Sequence, residues 1–314
     1  VSVACGVGES YALRGYASGT VGEGVWREVR CAEAVAWLTR QPSLGESCCV
    51  ISSLPDILEV ELEERPKGGR APSAQAYEAW FIATVALILG KLHPTQVAIF
   101  YQTDGRASAE GGAWLSKATL CHLGARQAGA ACVWHRVVCA GPPGVLRTGR
   151  PGFAHLLCFS REHRTPAGVP SVDVLPERGT MTWTRAMGSA ACDAATRYCL
   201  EVVHRAPRAA HSARTTGAAA VAAVAPSPPA AAPGATAAAT AAATAGAGGY
   251  VAGGAPAPPL RVLDPFCGEG SVLAAANALG VVAVGVDSSR KRCRHAAAYV
   301  RERAEPAAGM AGMG

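Results

Sequence analysis

The sequence predicts an α/β fold, a three-layer arrangement in which a mostly parallel sheet is covered by helices on both faces. Three observations predict it. Strand and helix signals alternate along most of the 314 residues. The strands are short and almost continuously apolar, as in QVAIFY at 96–101 and VVAVGV at 281–286, which is the pattern of strands buried on both sides. A glycine-rich turn at 264–271 joins an apolar strand directly to a helix, as βα units do.

Taken in order, residues 25–30 read as a short strand and 32–39 as the start of a helix. Residues 48–52 form a compact apolar run feeding SLPD at 53–56. Residues 73–89 have helical length and pattern. Their FIATVALIL segment is too short to cross a bilayer and reads as one buried helix. A strand at 96–101, a helix over 112–129, strands at 131–139 and 155–160 and a helix over 187–203 follow. Residues 205–259 are Ala, Pro, Gly and Thr with few large apolar side chains. Such a segment cannot offset its ordering entropy, so a disordered insert is predicted between residues 1–204 and 260–314. Beyond it come a strand at 260–263, a helix at 271–279, a strand at 281–286 and a helix at 289–303.

The formal charge of +6 gives weak support to a polyanionic partner. The 12 cysteines are scattered, and no C-x-x-C pair suggests structural zinc. Free thiols in a reducing, intracellular compartment are expected. The first residue is Val1, so targeting is left open.

The sharpest string is RVLDPFCGEGSV at 261–272. Asp264 ends a strand, Gly268 and Gly270 let the backbone approach a ligand, and the helix beginning at Ser271 offers free N–H groups to an anion. Asp287 ends the next strand, placed to accept ribose hydroxyls. DPFCGEGS resembles motif I of the class I S-adenosyl-L-methionine (SAM)-dependent methyltransferases, in the form found in those that modify base amines of nucleic acids. The resemblance implies a Rossmann-like sheet with SAM as cofactor. It places Asp264, Pro265, Phe266, Cys267, Gly268, Gly270 and Ser271 at the methionine end and Asp287 at the ribose. Cys267 is expected as a small filler, not a nucleophile.

In the commonest order of that family this motif opens the domain; here only one strand–helix unit follows its helix, which implies a circular permutation. AEAVAWL at 32–38 resembles motif III, with Glu33 on the acid that contacts the adenine amine. Glu replaces the usual Asp there, and Ala32 the usual Gly. SLPD at 53–56 falls where the family carries motif IV, D/N/S-P-P-Y/F. The match assigns Ser53 and the Leu54 carbonyl as hydrogen-bond acceptors for the target, with Pro55 between them and Asp56. Asp56 is a candidate proton acceptor or a turn cap, and it stands where the family has an aromatic that stacks on a flipped base.

Residues 135–161 hold two strands around a basic loop, in which Arg147, Arg150 and Phe153 suit phosphate contact and base stacking or simply form a solvated hairpin. His135 and His155 read as strand-end histidines and Asp104 as the first residue of a D-G turn. MTWTRAMG at 181–188 occupies the place of motif X, and Trp183 and Arg185 are carried over by position only. The expected function is SAM-dependent methylation of a base nitrogen, with RNA (tRNA or rRNA) before DNA, no membrane and a possible partner subunit. A protein or small-molecule acceptor and a non-catalytic SAM-binding subunit are the alternatives. Carbon methylation through a cysteine is disfavoured, because SLPD contains none.

Overall fold

The computed structural model describes residues 10–13, 27–60, 72–106, 112–145, 151–165, 172–183, 185–216 and 259–301. The strands are β1 (Ser10–Leu13), β2 (Arg27–Cys31), β3 (Cys48–Ser52), β4 (Ala98–Gln102), β5 (Gly105–Arg106), β6 (Trp114–Leu115), β7 (Ala131–Cys139), β8 (Phe153–Ser160), β9 (Val174–Leu175), β10 (Arg261–Asp264) and β11 (Val282–Asp287). The helices are α1 (Ala34–Arg40), α2 (Ala74–Lys91), α3 (Lys117–Gln127), α4 (Ser189–Thr216), α5 (Ser271–Ala278) and α6 (Arg290–Ala298).

Nine strands form one sheet in the order β1-β2-β11-β10-β3-β4-β8-β7-β9. The run from β2 to β4 is parallel, and β8 enters antiparallel between β4 and β7. The last two strands of the chain therefore lie at the centre of the sheet. β10 pairs with β3 through Val262↔Cys49 and Leu263↔Val50, which is the permuted order. From β3 the chain winds one way through α2 to β4; from β10 it winds the other way through α5 to β11. The reversal between β10 and β3 opens a crevice beyond the carboxyl ends of the strands, the place where such sheets bind ligands.

Side-chain alternation builds the two outer layers. Cys49, Ile51, Ile99, Val262 and Ala283 share one core with Ala191 and Cys192 of α4, Val272 and Ala276 of α5 and Ala296 of α6. Val50, Ala98, Phe100, Leu263 and Val284 face Leu38 of α1, Tyr77, Phe81 and Val85 of α2 and Cys121 of α3. Gly124 lets α3 lie close on α2: a Cβ there would stand 2.6 Å from Val85 Cβ.

Two boundaries differ from expectation. The helix predicted from residue 112 starts at Lys117, because Ser116 caps it through Thr119 N and residues 105–106 pair with 114–115 as a ribbon. α4 runs past the boundary predicted at residue 204, to Thr216, where Ala and Arg, both strong helix formers, continue it. The chain divides into two compact units, 1–206 with 259–314, and 207–258. Residues 217–258 of the expected insert lie outside the described residues. Among the described residues no helix is long and apolar enough to cross a membrane.

Candidate active site

A cavity of about 760 Å³ lies at the carboxyl ends of the central strands. Glu33, Ser53, Leu54, Pro55, Asp56, Phe153, Asp264, Pro265, Phe266, Cys267, Gly268, Ser271 and Asp287 all line it, so the expected cofactor and acceptor residues share one space. Gly270 does not line it. Its φ of 86° belongs to the left-handed region, and a Cβ there would meet Ala296 Cα at 2.8 Å. Its glycine serves the turn and the seat of α5 on α6 rather than ligand contact. Arg147 and Arg150 lie outside the described residues.

The glycine loop is organised by its two acids. Asp287 Oδ2 accepts from Gly268 N at 3.1 Å and Oδ1 from Ser289 N at 2.8 Å, tying the loop to the tip of β11. Burial pushes its carboxyl up, while those amides and Arg292 oppose the shift. Asp264 is 3% exposed. Its Oδ1 accepts from Ser52 Oγ at 2.7 Å and Phe266 N at 3.1 Å. Burial outweighs these neutral donors and pushes its carboxyl up to about 7. Cys267 is buried against Gly285, and burial holds its thiol well above the ordinary range.

A strap closes over the loop. Trp183 is the nearest side chain to a Cβ placed on Gly268, at 3.6 Å, and its ring carries the Arg292 guanidinium at 4.8 Å. Thr182 Oγ1 pairs with Ser271 Oγ at 2.8 Å, and Arg185 pairs with Glu59 at 2.7 Å. The positional transfer of motif X to residues 181–188 thus falls on a segment that joins the glycine loop to the acceptor loop.

The acceptor wall departs from expectation in three ways. Asp56 is not a free base: buried Lys117, from the first turn of α3, donates to its Oδ1. With the Lys117 ammonium on Oδ1, this carboxylate is engaged by a partner within the protein rather than open to an acceptor. Asp104 is more than a turn residue. Its Oδ1 accepts from Lys117 N at 2.8 Å, and its Oδ2 meets His155 Nε2 at 3.3 Å. His155 Nδ1 then meets His135 Nε2 at 2.9 Å, so the two histidines form a chain from the cavity toward the surface. Burial, then His155 and His122, hold the His135 imidazole below its ordinary range. Tyr77 donates to the Pro55 carbonyl at 3.0 Å and fixes the SLPD turn from α2.

Glu33 caps α1, accepting from Val35 N at 3.0 Å and Ala36 N at 2.6 Å. Its carboxylate is therefore engaged by the helix while remaining on the cavity wall. Sequence reasoning missed Lys117; it set residues 102–104 at a strand end where ligands bind but read Asp104 as a turn residue. FYQTDG at 100–105, polar residues ending an apolar strand, was the available signal.

No protein-family model matches the chain, and no curated protein matches it. Among solved structures it is similar to a candidate DNA modification methylase from Thermus thermophilus complexed with S-adenosyl-L-methionine, with a TM-score of 0.50 and 14% identity over 86% of this chain and 92% of that one. It is also similar to the PvuII DNA methyltransferase, described as cytosine-N4-specific, with a TM-score of 0.49 and 11% identity over 86% and 85% of the two chains. With β10 and β11 at its centre and the glycine loop at the switch point, the chain shares the fold of that Thermus thermophilus protein.

Proposed function

We propose that this chain is a SAM-dependent methyltransferase whose acceptor is a nitrogen of a nucleic-acid base. The observation that carries the reading is the meeting of the glycine loop and SLPD in one cavity. The loop fits the cofactor. Asp264 is a buried acid whose Oδ1 is held by two neutral donors and which has no cationic partner among the described residues, and the ammonium of a methionine moiety would supply one. Gly268 leaves room beside Trp183, and Asp287 and Glu33 stand at the tips of adjacent strands for ribose and adenine. When bound, SAM supplies a methyl group already activated by the sulfonium.

The residues of this chain then position and deprotonate. Ser53 and the Leu54 carbonyl accept hydrogen bonds from the acceptor amine and aim its lone pair. Trp183 and the Arg185–Glu59 pair cover the loop and exclude water. Asp104, backed by His155 and His135, takes the proton that leaves the nitrogen, in place of the Lys117-bound Asp56. Phe153, 41% exposed at the cavity, takes the stacking place that Asp56 leaves without an aromatic.

The expected order of RNA before DNA finds no support, because the similar solved structures are described as DNA methylases. DNA and RNA therefore enter the test together. Labelled SAM is incubated with separate pools of tRNA, rRNA and genomic DNA, and the nucleosides are resolved by mass spectrometry. An N-methylated nucleoside is the expected result. SAM binding without label in any pool would favour the protein, small-molecule or non-catalytic readings.

A further inference from the structure

Gln102 ends β4 at the wall of the cavity, next to Asp104. It is 1% exposed, and among the described residues neither Nε2 nor Oε1 has a hydrogen-bond partner. Leaving a buried polar group in that state is costly, and such groups are rare enough in folded proteins to require an explanation. The fold does not supply one. Ala98 and Phe100, the residues of β4 on the same face, are apolar core, and a leucine would fill the place of Gln102 without an orphaned amide. The neighbouring polar groups are committed elsewhere: Ser52 to Asp264, Lys117 to Asp56 and Asp104 to His155.

We infer that Gln102 is the specificity-determining residue that reads the acceptor base. A primary amide offers a donor and an acceptor side by side. An exocyclic amine next to a ring nitrogen presents the complementary pair, so Oε1 accepts from the amine while Nε2 donates to the ring nitrogen. The same contact would hold the amine within reach of Ser53 and Asp104. Thymine and uracil would set O4, an acceptor, against Ser53, the Leu54 carbonyl and Asp104, and are refused. The inference rests on the base-methylation reading and adds to it the residue that recognises the ring.

The test uses the full chain with sinefungin in the cofactor place and single-stranded oligothymidylate probes carrying one central adenine, cytosine or guanine. Wild type is expected to bind at least one of these more tightly than the all-thymine probe. Gln102→Leu is expected to remove that preference, a loss on the order of 5- to 150-fold from one bidentate contact, while affinity for the all-thymine probe is unchanged. In the absence of nucleic acid, Gln102→Leu is expected to unfold at a higher temperature than wild type, because the orphaned amide is gone. Gln102→Met, unbranched and similarly long, repeats both measurements should leucine misfold. A wild-type preference that survives in Gln102→Leu overturns the inference and leaves base methylation standing. A lowered unfolding temperature in both variants also overturns it, since the amide then has structural work. No wild-type preference for any amine-bearing base overturns the base-methylation reading, and this assignment with it.

Discussion

The glycine loop and the acceptor wall face the same cavity, yet they are built in opposite ways. The loop is held mostly by backbone amides of its own strand–loop–strand unit, to which β3 adds Ser52. Asp264 accepts from Phe266 N, Asp287 from Ser289 N and Gly268 N, and two glycines adopt positive φ. The wall is held by side chains from distant elements: Lys117 reaches Asp56 across 61 positions of sequence, and His155 reaches Asp104 across 51. A site made of local backbone bonds fails when its dihedral angles are disturbed. A site made of long-range side-chain pairs fails when one partner is removed.

The largest expected effect breaks the loop. Gly270→Ala introduces a Cβ 2.8 Å from Ala296 Cα at a φ of 86°, and overpacking with left-handed strain should cost roughly 2–5 kcal/mol. The denaturant midpoint should drop and SAM affinity should fall with it. Unchanged stability would mean that α6 yields and that the loop is less rigid than its hydrogen bonds imply.

The wall should answer a double-mutant cycle instead. Asp56→Ala leaves the Lys117 ammonium buried without its partner, whereas Lys117→Met leaves a half-exposed carboxylate that water can solvate. Asp56→Ala should therefore be the more destabilising single change, and the double variant should recover part of the loss, with a coupling of about 1–3 kcal/mol. Additive losses would show that the pair carries no energy.

The two regions should also respond to pH with opposite sign. Asp264 has a folded-state pKa near 7 against an ordinary value of 3.8. The folded state therefore binds more protons than the unfolded chain between those values, and this contribution to stability is lost as pH rises from about 4 to about 7. His135 is held below 6.5, so its contribution is present above that value and lost as pH falls through the folded-state pKa. Asp264→Asn should flatten the first slope and His135→Phe the second, read from unfolding midpoints across pH 4–8. SAM affinity should rise with pH through 7, because an ammonium beside Asp264 favours its ionised form.

The same contrast explains what the sequence disclosed. The parallel sheet and the loop were legible because periodicity and the string DPFCGEGS place every determinant within a few residues. SLPD was legible as a strand-end turn. Its partner Lys117 was not, since nothing in KATLCHLG distinguishes a buried lysine from a solvated one before α3 is packed beside β4. Gln102 and Asp104 sat in plain view after QVAIFY, but their significance depends on β8 entering antiparallel beside β4 and bringing His155 into register with Gln102. Permutation was readable from order alone, whereas the side-chain partners of the wall required the fold.

The smallest effect tests a residue that belongs to both kinds of construction. Glu33 caps α1 through two backbone amides and also lines the cavity. Glu33→Ala removes the cap and should cost about 0.5–2 kcal/mol in stability. Glu33→Gln keeps an oxygen for the cap but adds a donor where an adenine amine would need an acceptor. It should therefore leave stability within about 0.5 kcal/mol of wild type while weakening SAM binding severalfold by calorimetry. Equal SAM affinity for wild type and Glu33→Gln would make Glu33 a helix cap alone, and the cofactor's adenine would then be read by backbone groups at the tips of β2 and β11.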